Sequence, residues 1–191
     1  MKRWGTCPMA DKAAVTVTKA RALEIPAIFA LYRTAFPREE RKPFSVIRKM
    51  AKRGRADIWT IRHEGRFAGL AATVNGQENI LLDYFAVREA LRGRGVGSAA
   101  LKRLMDHYAH KGFFVEIEST FGPSENPQER QKRKEFYVNC GMIPMDTEAD
   151  VFGVRMELLG VRCHLDFEQY RNFYRDDYSP WAADHIREVS P

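Results

Sequence analysis

The sequence lacks the residues and segments that mark several common classes of protein. Its three cysteines, Cys7, Cys140 and Cys163, are odd in number and have no metal-ligand spacing, and its five histidines share none either. A disulfide framework and a zinc site are therefore not expected, and no metal is predicted. Free thiols are typical of a reducing compartment, so we expect a cytoplasmic protein.

Long hydrophobic runs are also missing. No apolar segment approaches the length that spans a bilayer, and the basic N-terminus at Met1–Trp4 is not followed by the apolar core of a signal peptide. We therefore predict no membrane association. The net charge of +6 suits an anionic ligand, which composition alone does not distinguish from nucleic acid. Because the basic stretches lack interleaved aromatic residues, nucleic-acid binding is the less favoured interpretation.

A nucleoside-triphosphate P-loop is absent too, because no Gly-x-x-x-x-Gly-Lys-Ser/Thr pattern occurs. The sequence has instead an apolar segment at 79–87 that leads into a basic, glycine-rich loop and a helix pattern over 98–110. Glycines let the backbone approach an anion, while the free N–H groups and the dipole of a helix N-terminus favour negative charge. The pattern predicts a phosphate-binding loop formed by Arg92, Gly93, Arg94, Gly95, Val96, Gly97 and Ser98.

Two kinds of phosphate ligand fit this loop by spacing. Gly95-x-Gly97-x-x-Ala100 matches the loose dinucleotide fingerprint, and Glu116 follows about 20 residues later. That fingerprint normally opens the first βαβ unit of a domain, whereas more than seventy residues precede it here. The alternative is Arg92-x-x-Gly95-x-Gly97 between a long apolar strand and an amphipathic helix. This pattern resembles the pyrophosphate loop of the GNAT superfamily of N-acetyltransferases, which bind acetyl-coenzyme A (acetyl-CoA).

A second segment strengthens this resemblance. Residues 135–142, Glu-Phe-Tyr-Val-Asn-Cys-Gly-Met, resemble the superfamily's Phe/Leu-Tyr-x-x-x-Gly-Phe segment, which closes its last main helix and opens the next strand. Order and spacing agree over 79–142, and a weaker match extends from about 14 to 160. The chain departs from the pattern in a polar insertion at 120–128, and in Arg130 and Arg133, where relatives often carry Asn and Ala.

The resemblance implies an α/β (α+β) fold, with a mixed, mostly antiparallel central sheet flanked by helices. We expect an N-terminal extension at 1–13, an acetyltransferase domain at 14–162, and a C-terminal helix and tail at 163–191 that pack on it. Hydrophobic periodicity predicts strands at 14–19, 58–62, 67–74, 79–87, 113–119, after 142 and at 151–161. It predicts helices at about 21–36, 44–53, 98–110, 126–139 and from 166 onward, with a partly loose tail after 176.

Acetyl transfer to an amine needs a base for the ammonium proton, an acid for the leaving thiolate and a donor for the developing oxyanion. The resemblance implies that Tyr137 is the acid, with its hydroxyl near the coenzyme sulfur; the alternative is a tyrosine that only packs the core. It also implies that the loop 92–98 holds the pyrophosphate. Main-chain groups at the end of the preceding strand would then contact the pantetheine arm and the oxyanion, at Phe85, Ala86 and Val87.

Three carboxylates are candidates for the base. Glu116 and Glu118 lie two residues apart, so both emerge on one face of a strand, which is costly unless that face lines a wet cleft. Asp83 interrupts an apolar strand for a similar reason. By register, it shares a face with Leu81, Phe85 and Val87. Glu116 ranks first because some related enzymes have a glutamate there. The alternative is that these carboxylates only form ion pairs, with Arg62, Arg88 or the charged segment 38–41.

The sequence therefore predicts an N-acetyltransferase that moves an acetyl group from acetyl-CoA to a primary amine by direct attack in a ternary complex. Clustered carboxylates would attract an ammonium, so the expected acceptor is a small-molecule amine or a protein amine. A non-catalytic coenzyme A-binding regulatory module on the same fold is the alternative. The acceptor's identity, the length of the acyl group and homodimer formation stay open at this point.

Overall fold

The computed structural model of the chain describes residues 14–38 and 41–189. The predicted N-terminal extension at 1–13, with Cys7, lies outside the described residues. So do Glu39 and Glu40 of the charged connection.

Eight strands of the described residues form one mixed sheet. They are β1 (Val15–Lys19), β2 (Ala56–His63), β3 (Arg66–Asn75), β4 (Asn79–Val87), β5 (Gly112–Glu118), β6 (Ile143–Val151), β7 (Val154–Val161) and β8 (Ile186–Glu188). Their order across the sheet is β1-β2-β3-β4-β5-β7-β6-β8. Neighbouring strands run antiparallel except at the centre, where β4 and β5 are parallel. The predicted mixed, mostly antiparallel sheet flanked by helices is confirmed.

Six α-helices of the described residues cover the sheet, and none has the length and apolar character needed to cross a bilayer. They are α1 (Ile25–Ala35), α2 (Phe44–Lys52), α3 (Val96–His107), α4 (Pro127–Asn139), α5 (Phe167–Phe173) and α6 (Pro180–Ala183). A π-helical turn, Tyr174–Tyr178, continues α5.

The helices lie on both faces of the sheet, because the central strands carry apolar side chains on both of their faces. On one face, α3 and α4 cover a core that includes Leu104 and Phe113. On the other face, α1 and α2 pack around Ile28, and the C-terminal helices pack around Phe114 and Tyr170. Phe113 and Phe114 are consecutive residues of β5, so their opposite placement shows the alternation of a strand directly.

A β-bulge in β4 determines where Asp83 points. The ladder between β3 and β4 pairs Ala72 with Tyr84 and Thr73 with Leu82, so Asp83 is the extra, unpaired residue. Side-chain alternation reverses at such an insertion. Asp83 therefore lies on the same face as the next residue, Tyr84, which packs toward α1 and α2.

The bulge corrects one sequence prediction. Asp83 does not share a face with Phe85 and Val87, because both of these side chains pack on the α3 and α4 side of the sheet. Its shared face with Leu81 is confirmed, since Leu81 packs in the core on the opposite side. Simple alternation along the strand does not predict a bulge. After one inserted residue, every following side chain lies on the face opposite to the one that alternation predicts.

The parallel pairing of β4 with β5 is short. It consists of Asn79 with Gly112, Ile80 with Phe113 and Leu81 with Phe114. Beyond these pairs, the carboxyl-terminal halves of the two strands are not hydrogen-bonded to each other, and a gap opens in the middle of the sheet. We call this the β4–β5 gap; it runs between residues 82–87 of β4 and 115–118 of β5.

The region after α4 differs from the prediction. The expected single strand at 151–161 is wrong at its start, because Phe152 and Gly153 form the turn of a hairpin between β6 and β7, with φ angles of +55° and +84°. A hairpin turn with two positive φ angles usually carries Asn-Gly or Asp-Gly, so Phe-Gly gave no clear signal.

The C-terminal region is ordered as far as it is described, so the expected loose tail after 176 is wrong there. The π-helical turn and α6 follow α5, and β8 pairs with β6 at the sheet edge. Tyr174, Tyr178 and Ile186 are buried against the same core as Phe114. This segment therefore covers the sheet face next to the β4–β5 gap.

The close approach of β3 and β4 beside the gap predicts a specific sensitivity. A Cβ added at Gly69 would lie 2.4 Å from the carbonyl oxygen of Ala86, a backbone atom that cannot move without shifting β4. We expect Gly69→Ala to lower the free energy of unfolding by about 2 kcal/mol, measured by urea titration of tryptophan fluorescence. Gly97→Ala is the control, because its added Cβ would meet its nearest atom at 3.4 Å. Equal midpoints for Gly69→Ala and the unmodified chain would contradict this packing.

Candidate active site

The predicted phosphate loop has the geometry of an anion site. Gly93 and Gly95 have φ angles of +72° and +77°, which glycine adopts without strain. Gly95 is the N-cap of α3, and the amide of Ala99 donates the first helical hydrogen bond, to the Gly95 carbonyl, over 3.0 Å. The amides of Val96, Gly97 and Ser98 lie before Ala99 in the chain and have no acceptor within the helix, so they are available to an anion at its positive end. The helix begins at Val96, two residues before the predicted start.

The two arginines of the loop add positive charge that the described residues do not neutralise. Arg92 and Arg94 are both exposed, and in the described part of the chain neither forms an ion pair. The Arg92 Nε donates a hydrogen bond of 3.4 Å to the carbonyl of Val87, at the end of β4. This contact ties the guanidinium to the mouth of the β4–β5 gap, where charge-assisted bonds to a phosphate would be strong.

An apolar wall lies beside the loop. A Cβ at Gly97 would touch the Phe136 ring at 3.4 Å and the Val87 side chain at 3.7 Å, so the absence of a side chain keeps this corner open. Phe136 of α4 stacks on Phe85 of β4 with a centroid separation of 6.1 Å. Phe136 was not among the predicted site residues, although it stands next to Tyr137 in the segment that carried the resemblance.

These features fit an acyl-coenzyme A. The free amides and unpaired arginines of residues 92–98 suit a pyrophosphate. The edge of β4 at Phe85, Ala86 and Val87 faces the gap and has no partner strand in β5, so it can pair with the amides of a pantetheine arm, as a sheet edge pairs with a peptide. Among the described residues, no group of three or more His, Cys, Asp or Glu side chains is arranged to hold a metal ion.

Glu116 lies on β5 at the gap and is held by a residue that the sequence did not point to. The Tyr174 hydroxyl lies 2.7 Å from its Oε1 and 2.9 Å from its Oε2, so the phenol donates to this carboxylate. Loss of solvent raises the pKa of Glu116 to about 7, against a lowering by the Tyr174 hydrogen bond. Asp83 raises this pKa further and Lys42 lowers it. The result is a carboxylate that exchanges its proton near neutral pH.

Asp83 is paired with a lysine of the chain itself. Lys42 Nζ lies 2.7 Å from Asp83 Oδ1. The same ammonium lies 4.0 Å from the ring centroid of Tyr178 and 5.4 Å from that of Tyr84. Asp83 therefore lies at the bottom of a cage with a carboxylate and two aromatic walls, which we call the Asp83 cage (Asp83, Tyr84 and Tyr178).

Glu118 lies two residues beyond Glu116, in different surroundings. Its carboxylate accepts from Arg130 at 2.7 Å and from Arg133 at 3.4 Å, both on α4. Two arginines satisfy and neutralise this group, so Glu118 is the weakest of the three candidate bases. The predicted alternative, ion pairing of the candidate bases, holds for Glu118 and Asp83 but with other partners.

The expected partners are engaged elsewhere in the described chain. Arg62 pairs with Glu24 and donates to the Thr18 hydroxyl over 2.9 Å, and Arg88 donates to the carbonyl of Phe67 over 3.4 Å. Arg130 and Arg133 of α4 stand where relatives often carry Asn and Ala, and both form ion pairs with Glu118.

Tyr137 lies on the α4 side of the β4–β5 gap. Its side chain is buried in the core formed by α3, α4 and β5, and burial raises its pKa to about 12. The phenol therefore stays protonated at neutral pH and can act as a proton donor. Glu116 and Asp83 lie on the other face of the sheet, with Tyr174 and Tyr84. Tyr137 and Glu116 therefore lie on opposite faces of the sheet.

Besides Phe136, four residues around the candidate site were missed by the sequence analysis, namely Lys42, Tyr84, Tyr174 and Tyr178. Tyr170 and Tyr174 gave a helical stripe in the sequence, but that pattern only predicts a buried face. Their relation to Glu116 depends on the packing of the C-terminal helices over β5, which no local pattern encodes.

Comparison with known proteins agrees with this geometry. The family model of the GNAT acetyltransferase family matches residues 25–141. Among curated protein sequences, none matches the chain. A solved structure of a protein from Bacteroides thetaiotaomicron, assigned to the GNAT family of acetyltransferases, has a TM-score of 0.70 at 20% identity, covering 85% of this chain and 98% of that one.

Two further solved structures share the fold at lower similarity. A ribosomal L7/L12 α-N-protein acetyltransferase in complex with coenzyme A has a TM-score of 0.58 at 16% identity, covering 81% of this chain and 96% of that one. A chimeric spermidine N-acetyltransferase from Vibrio cholerae has a TM-score of 0.59 at 14% identity, covering 78% of this chain and 94% of that one. At these identities the likeness concerns the fold.

The loop geometry predicts the effect of one substitution. Gly95→Asp places a carboxylate among the free amides of the α3 N-terminus, so we expect it to weaken acetyl-CoA binding by about 100-fold or more, from several lost charge-assisted bonds. Titration calorimetry measures the affinity, and circular dichroism checks the fold. Gly153→Asp is the matched control, because Gly153 has a similar φ of +84° and open space around it. Unchanged affinity in a folded Gly95→Asp chain would exclude this loop as the pyrophosphate site.

Proposed function

Because the chain belongs to the GNAT acetyltransferase family, we propose that it transfers an acetyl group from acetyl-CoA to a primary amine by direct attack in a ternary complex. Glu116 is the general base in this proposal and Tyr137 the general acid. The observation that carries it is the carboxylate of Glu116, which lies at the β4–β5 gap with its pKa raised to about 7.

Glu116 is suited to the base role on chemical grounds. A free alkylammonium has a pKa near 10.4, so at neutral pH almost all of the acceptor is protonated and unreactive. A base with a pKa near 7 is ionised in about half of the molecules at pH 7, and still accepts a proton readily. Tyr174 donates to both oxygens, which fixes the carboxylate in place. Asp83 and Glu118 are less suited because each is already ion-paired.

The binding of acetyl-CoA is assigned to two parts of the chain. The amides of residues 92–98, with the Arg92 and Arg94 guanidinium groups, would hold the pyrophosphate, and the backbone of residues 85–87 would align the pantetheine arm. Acetyl-CoA supplies the thioester, whose carbonyl carbon accepts the amine and whose sulfur leaves. Tyr137 then donates its proton to the leaving sulfur, since its pKa of about 12 keeps it protonated until that step.

The acceptor is a primary amine on an alkyl chain. The Asp83 cage offers a carboxylate and two aromatic faces, which together favour a compact ammonium. The names of the similar structures include a protein α-amine and the polyamine spermidine as acceptors. Both small-molecule amines and protein amines therefore stay within the proposal.

The raised pKa of Glu116 predicts how the rate depends on pH. Glu116 must be ionised to accept a proton, so we expect kcat/KM to fall about tenfold for each pH unit below about 7 and to level off above it. This profile is measured by recording thiol release during acetyl transfer to a panel of amines. Glu116→Gln should abolish the low-pH limb together with most of the activity. Glu118→Gln is the control and should keep the fall of kcat/KM below about pH 7. If that fall is lost in Glu118→Gln and kept in Glu116→Gln, Glu116 is not the base.

The acid role of Tyr137 is tested by removing its hydroxyl alone. We expect Tyr137→Phe to lower kcat by about 100-fold while acetyl-CoA affinity is retained, because the aromatic packing of α4 is preserved. Tyr108→Phe serves as the control, since this hydroxyl donates to Asp57 over 2.9 Å in a structural network. A Tyr137→Phe enzyme with the kcat of the unmodified chain would show that the tyrosine only packs the core. Binding of acetyl-CoA without turnover of any amine by the unmodified chain would favour the regulatory module.

A further inference from the structure

Lys42 is fixed in the structure more firmly than its place in a charged connection suggests. Its amide donates to the Tyr84 hydroxyl over 3.1 Å, and its carbonyl accepts from the Tyr32 hydroxyl over 3.0 Å. Both tyrosines are buried in the core between the sheet and α1. The backbone of Lys42 is therefore anchored at the sheet.

The Lys42 side chain extends into the Asp83 cage. Lys42 Nζ lies 2.7 Å from Asp83 Oδ1 and 4.0 Å from the Tyr178 ring centroid. The Lys42 side chain keeps 30% of its exposed surface, whereas that of Asp83 keeps 11%. A carboxylate at the bottom and an aromatic face at the side are what a pocket for a primary ammonium requires.

Other groups around the cage also point to a ligand position. The Tyr178 hydroxyl is buried and has no hydrogen-bond partner within the described residues. Tyr178 stacks on Tyr174, the donor to Glu116, with a centroid separation of 4.7 Å. Unsatisfied buried hydroxyls are rare in folded proteins and call for a partner such as water or a ligand. Glu116 therefore lies beside the cage and is linked to it through the rings of Tyr174 and Tyr178.

We propose that Lys42 occupies the position of the acceptor amine and is itself acetylated on Nζ, within its own chain. The inference rests on the proposed function, because it uses the same base, acid and gap. It adds a modification site, and it identifies the preferred acceptor as an alkylammonium of the length and charge of a lysine side chain.

The reaction at Lys42 is balanced by the residues already named. Glu116 takes the first proton from the Nζ ammonium and releases it to solvent. The C–N bond then forms between Nζ and the acetyl carbon while the C–S bond breaks. Tyr137 gives its proton to the sulfur, and the second proton lost by Nζ replaces it. The products are acetylated Lys42, the free thiol of coenzyme A and one proton.

Acetylation would change the pocket. An acetylated Lys42 is neutral, so it no longer pairs with Asp83 and no longer attracts the faces of Tyr84 and Tyr178. Asp83 then becomes available to the ammonium of an external acceptor.

The test compares lysines of the same chain. The purified protein is incubated with acetyl-CoA, and peptide mass spectrometry follows acetylation of Lys42 and of Lys49, an exposed lysine on α2. We expect Lys42 to be acetylated at least roughly tenfold faster, because it is held at the reacting position. The rate constant should not depend on protein concentration. Lys42→Arg should remove this modification, Lys49→Arg should not, and Gly95→Asp should slow it to the rate of Lys49.

The outcomes separate this inference from the proposed function. If external amines are acetylated while Lys42 is modified no faster than Lys49, the inference is wrong and the proposed function stands. If acetyl-CoA binds and neither Lys42 nor any amine is acetylated, the proposed function is wrong and the inference is wrong with it.

A second readout needs no acetyl-CoA. Reductive methylation of the free protein should label Lys42 several-fold more slowly than Lys49, because the ion pair and the tyrosine rings shield Nζ. Asp83→Asn should raise the rate at Lys42 and leave Lys49 unchanged. Equal labelling of the two lysines in the unmodified chain would show that Lys42 is not held in the cage, and would overturn the inference.

Discussion

The short pairing between β4 and β5 is the constraint on which the site depends. Only three residue pairs join these parallel strands at the centre of the sheet, so the sheet is closed at one end and open at the other. The open end places an unpaired edge of β4 next to the N-terminus of α3 and the predicted phosphate loop. It also connects two faces of the sheet that are otherwise separated by packed side chains, with Tyr137 on one face and Glu116 on the other.

Placing a carboxylate at this opening has a cost in stability. The folded chain raises the pKa of Glu116 from its ordinary 4.5 to about 7, so it binds the proton more tightly than the unfolded chain does. The folded state is therefore favoured below about pH 4.5 with respect to this group, and this advantage is lost as the pH rises through 7. At high pH the ionised group destabilises the fold by at most about 3 kcal/mol, because partial contact with solvent lowers this cost. Such a cost is consistent with the proposed role of Glu116 as a base near neutral pH.

The sequence predicted the secondary structure around the candidate site where local chain geometry decides it. Residues 92–98 follow a strand and open a helix, and this is decided by glycines and periodicity within one stretch of chain. Glu116 was correctly placed on a strand, β5, and Tyr137 on a helix, α4. The bulge at Asp83 was missed because the apolar run around it has no alternation that an inserted residue would interrupt. Lys42, Tyr174 and Tyr178 were missed because they reach the gap only through tertiary packing, from segments far away in the sequence.

The most direct test of the gap is amide hydrogen exchange with and without acetyl-CoA. If acetyl-CoA enters between β4 and β5, amides of residues 82–87 and 92–98 should exchange more slowly when it is bound, because they gain hydrogen-bond partners and lose solvent. The hairpin of β6 and β7, at 143–161, should be unaffected. Protection confined to other elements, or no protection at saturating acetyl-CoA, would contradict the assignment of this opening as the coenzyme site.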